Sequence, residues 1–188
     1  MPRLAAARLA HVEAVVETIG RVAGGWSEPG RHAALRAAWL HDAWRSAGAE
    51  EMLAEIRAAG EEPDSWALRH APVLLHAQAA ALWAESAAGE TDPEVLLAVR
   101  HHPTGHPGWR DVGRALYVAD FCEPTRGFAG SLGTERIVAR ASDGSAPLAS
   151  AALEVLRLRL ERSLRKGRPI HPDSVRAWNV WTRAGGGP

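Results

Sequence analysis

Apolar residues recur every three or four positions along most of this chain, which is the spacing of amphipathic helices. The first such stretch covers residues 4–22, where Leu9, Val12, Val15, Val16 and Ile19 form one stripe. Runs that alternate with the two-residue period of a strand are short and scattered. The pattern therefore predicts an all-α fold in which the apolar stripes pack on one another.

Glycine, proline and capping residues divide the pattern into separate helices. Pro93 follows Thr91 and Asp92, a typical helix start, and His102 precedes Pro103, so His102 should lie at a helix exit. Residues 61–65 read as a turn. The predicted helices are 4–22, one through His41 that stops near Gly48, 50–59, one beginning at Pro72, 93–102, 109–122, about 134–141, 147–165 and a last one carrying Trp178 and Trp181.

Residues 35–45, LRAAWLHDAWR, place the polar pair His41–Asp42 inside an apolar helical run. Burying an ionised carboxylate is costly unless it is paired or binds a metal. The pair alone fits a packed histidine beside a capping or surface aspartate equally well. Four further residues, each at an end or on an apolar face of another predicted helix, favour a site: His11, His76, His102 and Asp120.

Asp120 lies near the C-terminal end of its predicted helix, where a negative charge opposes the helix dipole. Such a local inconsistency is expected at functional sites. Four imidazoles and two carboxylates are about what two first-row metal ions need from a protein, with one carboxylate shared. Spacing alone does not prove this, because helices can converge anywhere.

The charge and cysteine content narrow the function classes. The 188 residues contain 22 Lys plus Arg and 22 Asp plus Glu, so the net charge is zero. No basic surface for a nucleic acid polymer or an anionic membrane is expected, and any phosphate site must be local. The single cysteine, Cys122, excludes an internal disulfide and a multi-cysteine zinc site. Because no stretch has the character of a signal peptide or a membrane span, we expect a cytoplasmic protein.

Six segments in one order carry a resemblance to a known family. They are RLAHVEAV, WLHDAWR, LLHAQAAA, AVRHHPTGHPGW, LYVADFCEPTRGFAG and KGRPIHPDSVRAWN, and together they extend from residue 8 to residue 179. In these segments the chain resembles the HD-domain superfamily of metal-dependent phosphohydrolases. Within it, the sequence is most similar to the YqeK-type, symmetrical bis(5'-nucleosyl)-tetraphosphatases.

The resemblance implies a single HD-domain helical bundle, residues 1–183, with a metal site in its core. The glycine-rich tail, residues 184–188, is predicted to be disordered. The resemblance assigns one metal to His11, His41, Asp42 and Asp120. The second metal falls to His76 and His102, with Asp42 bridging the two. The metals it implies are two iron ions, with manganese or another divalent transition metal as the alternative. The implied reaction splits diadenosine tetraphosphate, a dinucleoside polyphosphate, in the middle to give two ADP.

Three positions depart from the usual residues of this family. Arg45 stands where relatives tend to have lysine, Pro103 follows His102 where threonine is more usual, and Ala77 follows His76 where glycine is common. None of the three removes a ligand. We therefore expect them to affect the rate or the substrate range rather than the chemistry.

Catalytic roles are assigned to Asp42, Arg45 and Arg126, and substrate binding to Arg8, Arg45, Arg126 and His101. Arginine forks suit phosphate oxygens, although each arginine can equally be a solvated surface residue. Residues 123–133 read as a mobile substrate loop or as an ordinary surface loop.

Three tryptophans lie near predicted loops: Trp26, Trp66 and Trp109. Each of them can belong to the core, stack on a nucleobase or contact another subunit. Two other functions stay open at this stage: hydrolysis of another nucleotide or a phosphomonoester, and metal-containing nucleotide binding without turnover. A homodimer is also left open.

Overall fold

The computed structural model describes residues 6–127 and 133–184, and every regular element in them is a helix. This confirms the all-α prediction. A 3₁₀ turn, Pro72–Leu74, leads into the helix that begins at Leu75. The α-helices are α1 (Ala6–Val22), α2 (Glu28–Leu40), α3 (Ala49–Ala58), α4 (Ser65–His70), α5 (Leu75–Ser86), α6 (Pro93–His101), α7 (Asp111–Cys122), α8 (Thr134–Ser142), α9 (Leu148–Arg165) and α10 (Pro172–Ala184).

Helix α7 is the centre of the bundle. It packs against α1, α2, α6, α8 and α9, and its residues from Val112 onward are buried, apart from the half-buried Arg114. Close packing depends on Gly113, because a Cβ atom there would lie 2.4 Å from the Trp109 ring. Trp109 itself is 3% exposed and stacks on Trp181, so it is core material rather than a base-stacking surface.

The helix predicted through His41 and Asp42 ends earlier than its hydrophobic pattern suggests. Helix α2 stops at Leu40, and residues 41–46 form tight turns instead of continuing to Gly48. In this segment the backbone N–H groups of Ala43, Arg45 and Ala47 each donate to the carbonyl three residues earlier. An α-helix separates adjacent side chains by about 100°. Leaving the helix at Leu40 lets His41 and Asp42 reach the same point in the core.

The ends of α6 and the start of α4 can be compared with the helix boundaries predicted from the sequence. Of the two predicted cap residues, Thr91 and Asp92, it is Asp92 that caps α6, by accepting a hydrogen bond from the Glu94 N–H. His102 occupies the C-cap, as predicted. The turn predicted for residues 61–65 is followed by the short helix α4, which the sequence analysis missed. Asp64 caps α4 by accepting from the Ala67 N–H.

Some predicted features fall outside the described residues. Residues 128–132 of the segment 123–133 and residues 185–188 of the tail are among them. Across the described helices, none combines the length and the apolar character that a bilayer crossing requires.

Candidate metal centre

Six histidine and aspartate side chains meet in the core between α1, α2, α5, α6 and α7. All six are at least 94% buried. They are His11 in α1, His41 and Asp42 in the turn after α2, His76 in α5, His102 at the C-cap of α6, and Asp120 in α7. The structure therefore brings together the whole set that the resemblance implied as metal ligands.

Asp42 lies in the middle of this cluster, and its two carboxylate oxygens face different histidines. Its Oδ1 is 3.2 Å from His76 Nε2 and 3.6 Å from His102 Nε2. Its Oδ2 is 3.5 Å from His11 Nε2 and 3.6 Å from His41 Nε2. Asp42 thus links two pairs of imidazoles through a single carboxylate.

Asp120 closes the cluster on the side of His11 and His41. Its Oδ1 lies 3.3 Å from His11 Nε2 and 3.8 Å from His41 Nε2. Two groups have donor atoms that all lie within 4.8 Å of one another, a spacing that could hold a metal ion. They are His11, His41 and Asp120, and His41, Asp42 and His102.

Three of the histidines share one anchoring contact. The Nδ1 atom of each lies at hydrogen-bond distance from the backbone carbonyl three residues earlier. The pairs are His41 with Ala38 at 2.7 Å, His76 with Val73 at 2.5 Å, and His102 with Val99 at 2.9 Å. A carbonyl can only accept, so Nδ1 carries the proton and the Nε2 lone pair faces the cluster.

His11 has a different anchor, which the sequence analysis did not identify. Its Nδ1 lies 2.9 Å from Oε1 of Glu123, a fully buried carboxylate. Glu123 also accepts hydrogen bonds from the backbone N–H and the hydroxyl of Thr125. A carboxylate behind a metal-binding histidine orients the ring and raises its basicity. The sequence feature that could have identified Glu123 is an acidic residue three positions after Asp120 and directly before Pro124.

The charge states of the cluster suit a cation. Burial lowers the pKa of His41 to about 4 and also lowers that of His76, which keeps both imidazoles neutral. Burial opposes ionisation of Asp42, but the neighbouring imidazoles of His102 and His76 outweigh it and hold its pKa well below the usual range. A neutral imidazole and an ionised carboxylate are the forms that bind metals.

Two buried nitrogens strengthen this reading. His11 Nε2 and His41 Nε2 have no hydrogen-bond partner among the described residues. Burial lowers the pKa of His11, but the nearby carboxylate of Asp120 and the contact with Glu123 raise it above the ordinary value. His11 therefore tends to take up a proton, which brings a positive charge into the cluster. A metal ion bound there would supply that positive charge instead of the proton. The residues present fit a metal centre.

Arginines surround the two aspartates. Arg8 Nη1 lies 2.8 Å from Asp42 Oδ2. Arg126 donates from Nε to the Asp120 carbonyl at 2.6 Å and from Nη2 to its carboxylate. Arg159 Nη2 lies 2.7 Å from Asp120 Oδ2. Arg159 was not predicted as a site residue, because the leucines at helical spacing in residues 147–165 indicate only a core helix.

The other two predicted site residues lie outside the cluster. Arg45 is half-buried in the turn, three residues beyond Asp42. His101 pairs with Asp173, with 3.4 Å between Nδ1 and Oδ2, and its ring lies beside that of His106. His101 lines a separate cavity of about 290 Å³ that also contains Glu61, Glu62 and Asp64.

Comparison with known proteins gives relatives along nearly the whole chain, although no family model matches it. The symmetrical bis(5'-nucleosyl)-tetraphosphatase of Bacillus subtilis is 29% identical over 178 residues, covering 95% of this chain and 90% of the relative. The protein of the same name from Halalkalibacterium halodurans is 30% identical with the same coverage.

A solved structure matches the fold. It is described as a predicted HD superfamily hydrolase involved in NAD metabolism from Clostridium acetobutylicum. The TM-score is 0.83 at 25% identity, and the match covers 96% of this chain and 92% of the other. Together with the buried histidine and aspartate cluster, these similarities show that the chain belongs to the symmetrical bis(5'-nucleosyl)-tetraphosphatase family of HD superfamily hydrolases.

Proposed function

We propose that this enzyme hydrolyses dinucleoside tetraphosphates between the two central phosphates, with diadenosine tetraphosphate giving two ADP. The names of the two relatives support this substrate class. In the reaction, water adds to the phosphorus of one central phosphate. The bond from that phosphorus to the bridging oxygen breaks, so each half leaves as a nucleoside diphosphate.

The observation that carries the proposal is the position of Asp42 between two histidine pairs. One oxygen faces His76 and His102, and the other faces His11 and His41. This arrangement supports two metal ions that share Asp42, with Asp120 completing the set on the side of His11 and His41. Imidazole with carboxylate suits iron or manganese better than magnesium, and iron is the metal that the family resemblance implies.

Metals held there would neutralise phosphate charge and make water acidic enough to attack near neutral pH. The protein's own residues do the rest of the work. The carbonyl-anchored imidazoles keep their Nε2 lone pairs aimed at the cluster. Arg159 and Arg126 offset the buried charge of Asp120.

Arg8 and Arg45 are our candidates for phosphate contacts. The Arg8 side chain is 29% exposed while it contacts Asp42, so it can face both the cluster and an incoming anion. An arginine at such a position binds non-bridging phosphate oxygens in a bidentate manner. His101, which pairs with Asp173 outside the cluster, has less support as a substrate contact.

Product analysis tests the proposal. Protein purified without chelator is assayed for metal and incubated with diadenosine tetraphosphate, and the products are separated by chromatography. We expect ADP as the only nucleotide product. AMP plus ATP would place the attack on an outer phosphate and contradict symmetrical cleavage. Turnover of phosphomonoesters alone, or tight binding without turnover, would support the two alternatives raised by the sequence.

A further inference from the structure

A cavity of about 710 Å³ is lined by Arg126 and Arg159, the two arginines that contact the candidate ligand Asp120. Its wall includes Val73 and Leu74, which precede the helix of His76, and Pro103 and Thr104, which follow His102. It also includes Phe121, the neighbour of Asp120. Small-molecule sites have volumes of roughly 300–1,000 Å³. The cavity is therefore large enough for a substantial part of the substrate, and several residues of its wall are chain neighbours of the candidate ligands.

The charge of this cavity differs sharply from that of the whole chain. Four arginines line it: Arg126, Arg159, Arg162 and Arg168. Among the described residues that form its wall, no aspartate or glutamate is present. The chain as a whole carries equal numbers of basic and acidic residues. A neutral protein has thus placed a local excess of positive charge beside its metal centre, where phosphates can bind.

The positions of two arginines let the positive charge extend away from the metal centre. Arg159 contacts Asp120, and Arg162 follows three residues later on the same side of α9. Arg168 comes after the end of α9 and is exposed. The arginines therefore follow α9 outward from the cluster, as the phosphates of an extended substrate require.

The wall of the cavity also offers a flat aromatic surface. Trp66 in α4 is partly exposed, and its ring centroid lies 5.0 Å from that of His70 and 4.8 Å from that of His171. Val73 beside it is 43% exposed. A partly exposed tryptophan that is positioned by contacts with two other rings can stack on a nucleobase with little sequence preference. The smaller cavity near His101 contains several acids and would repel phosphate.

We infer that the 710 Å³ cavity binds one nucleoside diphosphate half of the substrate, with phosphates beside Arg162 and Arg168 and the base on Trp66. The inference rests on the proposed function, because the metal cluster fixes the location of the central phosphates. It assigns a role to α4, the helix that the sequence analysis missed. It also gives Trp66 the base-stacking role that the sequence left undecided.

Equilibrium binding to the metal-loaded protein tests this assignment directly. The affinities for ADP and for inorganic pyrophosphate are measured by isothermal titration calorimetry for the wild type, Trp66→Ala, Trp66→Phe and Arg168→Gln. We expect Trp66→Ala to weaken ADP binding about tenfold, because one stacking contact is lost. It should leave pyrophosphate binding unchanged, and Trp66→Phe should keep most of the affinity for ADP.

Arg168→Gln should weaken ADP and pyrophosphate together, since it removes a phosphate contact. Arg165→Gln is the matched control, because Arg165 is an exposed arginine three residues before Arg168, at the end of α9, and does not line the cavity. Metal content and circular dichroism check that each variant is folded. In kinetics, Trp66→Ala should raise the KM for diadenosine tetraphosphate with little change in kcat.

Two results would separate failure of this inference from failure of the proposed function. If the wild type splits diadenosine tetraphosphate but Trp66→Ala and Arg168→Gln bind ADP as it does, the cavity assignment is wrong. If the wild type does not split this substrate, the proposed function is wrong. The cavity assignment then stands or falls on whether these two variants lose ADP affinity.

Discussion

Arg159 Nη2 on α9 lies 2.7 Å from Asp120 Oδ2 on α7, although 39 residues separate them in the chain. The Arg159 guanidinium also lies over the rings of Tyr117 at 4.5 Å and Phe121 at 5.0 Å. These aromatic contacts fix the guanidinium on the side of Asp120 that faces away from His11 and His41. Arg159 is thus a positioning residue for one of the candidate metal ligands.

We expect Arg159→Met to lower metal affinity and kcat/KM for diadenosine tetraphosphate by about 10- to 100-fold, the usual effect of losing a partner behind a metal ligand. The physical reason is that the buried Asp120 carboxylate would lose a hydrogen-bonded cation. Metal titration together with steady-state kinetics measures both quantities. Arg157→Met is the control, because Arg157 is on the same helix and pairs with Glu161 at the surface. Full metal affinity in Arg159→Met would contradict the positioning role.

From the sequence, Arg126 was predicted to bind a substrate phosphate. Its contact with Asp120 gives it a second possible role, which is to hold this candidate ligand in position. If support of Asp120 dominates, Arg126→Ala should lower kcat/KM for diadenosine tetraphosphate and for a small phosphodiester by similar factors. We expect this outcome, with a loss of about tenfold or more. A large loss for the polyphosphate alone would instead identify Arg126 as a phosphate clamp.

Glu123 should control the metal affinity of His11. Glu123→Gln keeps the shape of the side chain but removes the carboxylate that faces His11 Nδ1 at 2.9 Å. We expect the affinity for the metal on the side of His11, His41 and Asp120 to fall by about tenfold, as measured by competition with a chelator. Glu17→Gln, an exposed position on α1, serves as the control. Equal metal affinities in Glu123→Gln and the wild type would show that Glu123 stabilises only the turn at Thr125 and does not affect His11.

The features that were predicted correctly from the sequence are those that depend on the local pattern of residues. Helix periodicity, the Asp92 cap and the six polar residues in apolar surroundings are all readable from neighbouring positions. The contact between Arg159 and Asp120 is not, because it depends on how α9 packs on α7. The early end of α2 at Leu40 was equally hidden, since the apolar run continues through Trp44 while the backbone changes to tighter turns.

Glu90 provides a test of pH dependence away from the metal centre. Its buried carboxylate accepts hydrogen bonds from Arg36 at 2.8 Å and from the backbone N–H groups of Thr91 and Asp92 at 3.0 Å. Burial opposes ionisation, but these hydrogen bonds outweigh it and lower the pKa of Glu90. A carboxylate with a lowered folded-state pKa stabilises the protein above its unfolded value, and the effect is lost as pH falls through the folded pKa.

Glu90→Gln should therefore lower the free energy of unfolding by about 1 kcal/mol at pH 7. The difference from the wild type should shrink as the pH falls below the ordinary glutamate value. Urea unfolding at several pH values measures it. Glu94→Gln, at an exposed pair with Arg110, should change stability little at any pH. A Glu90→Gln effect that does not vary with pH would show that packing, not charge, is responsible.

If two metal ions share Asp42, substitution of Asp42 should release more metal than substitution of a histidine that binds only one of them. His76 contacts only the Oδ1 side of Asp42, whereas Asp42 itself faces both histidine pairs. We expect His76→Ala to lose about half of the bound metal and Asp42→Ala to lose nearly all of it. Metal per protein chain is measured by elemental analysis after purification without chelator.

A third variant makes this test sharper. His106→Ala removes an imidazole that is adjacent to His101 but outside the cluster, so it should keep the full metal content. Circular dichroism separates metal loss from unfolding, since a folded protein without metal keeps its helical signal. Small and equal losses in His76→Ala and Asp42→Ala would contradict a shared carboxylate. Near-complete loss in both would indicate instead that the cluster binds its metals as one cooperative unit, and the division into two histidine pairs would be wrong.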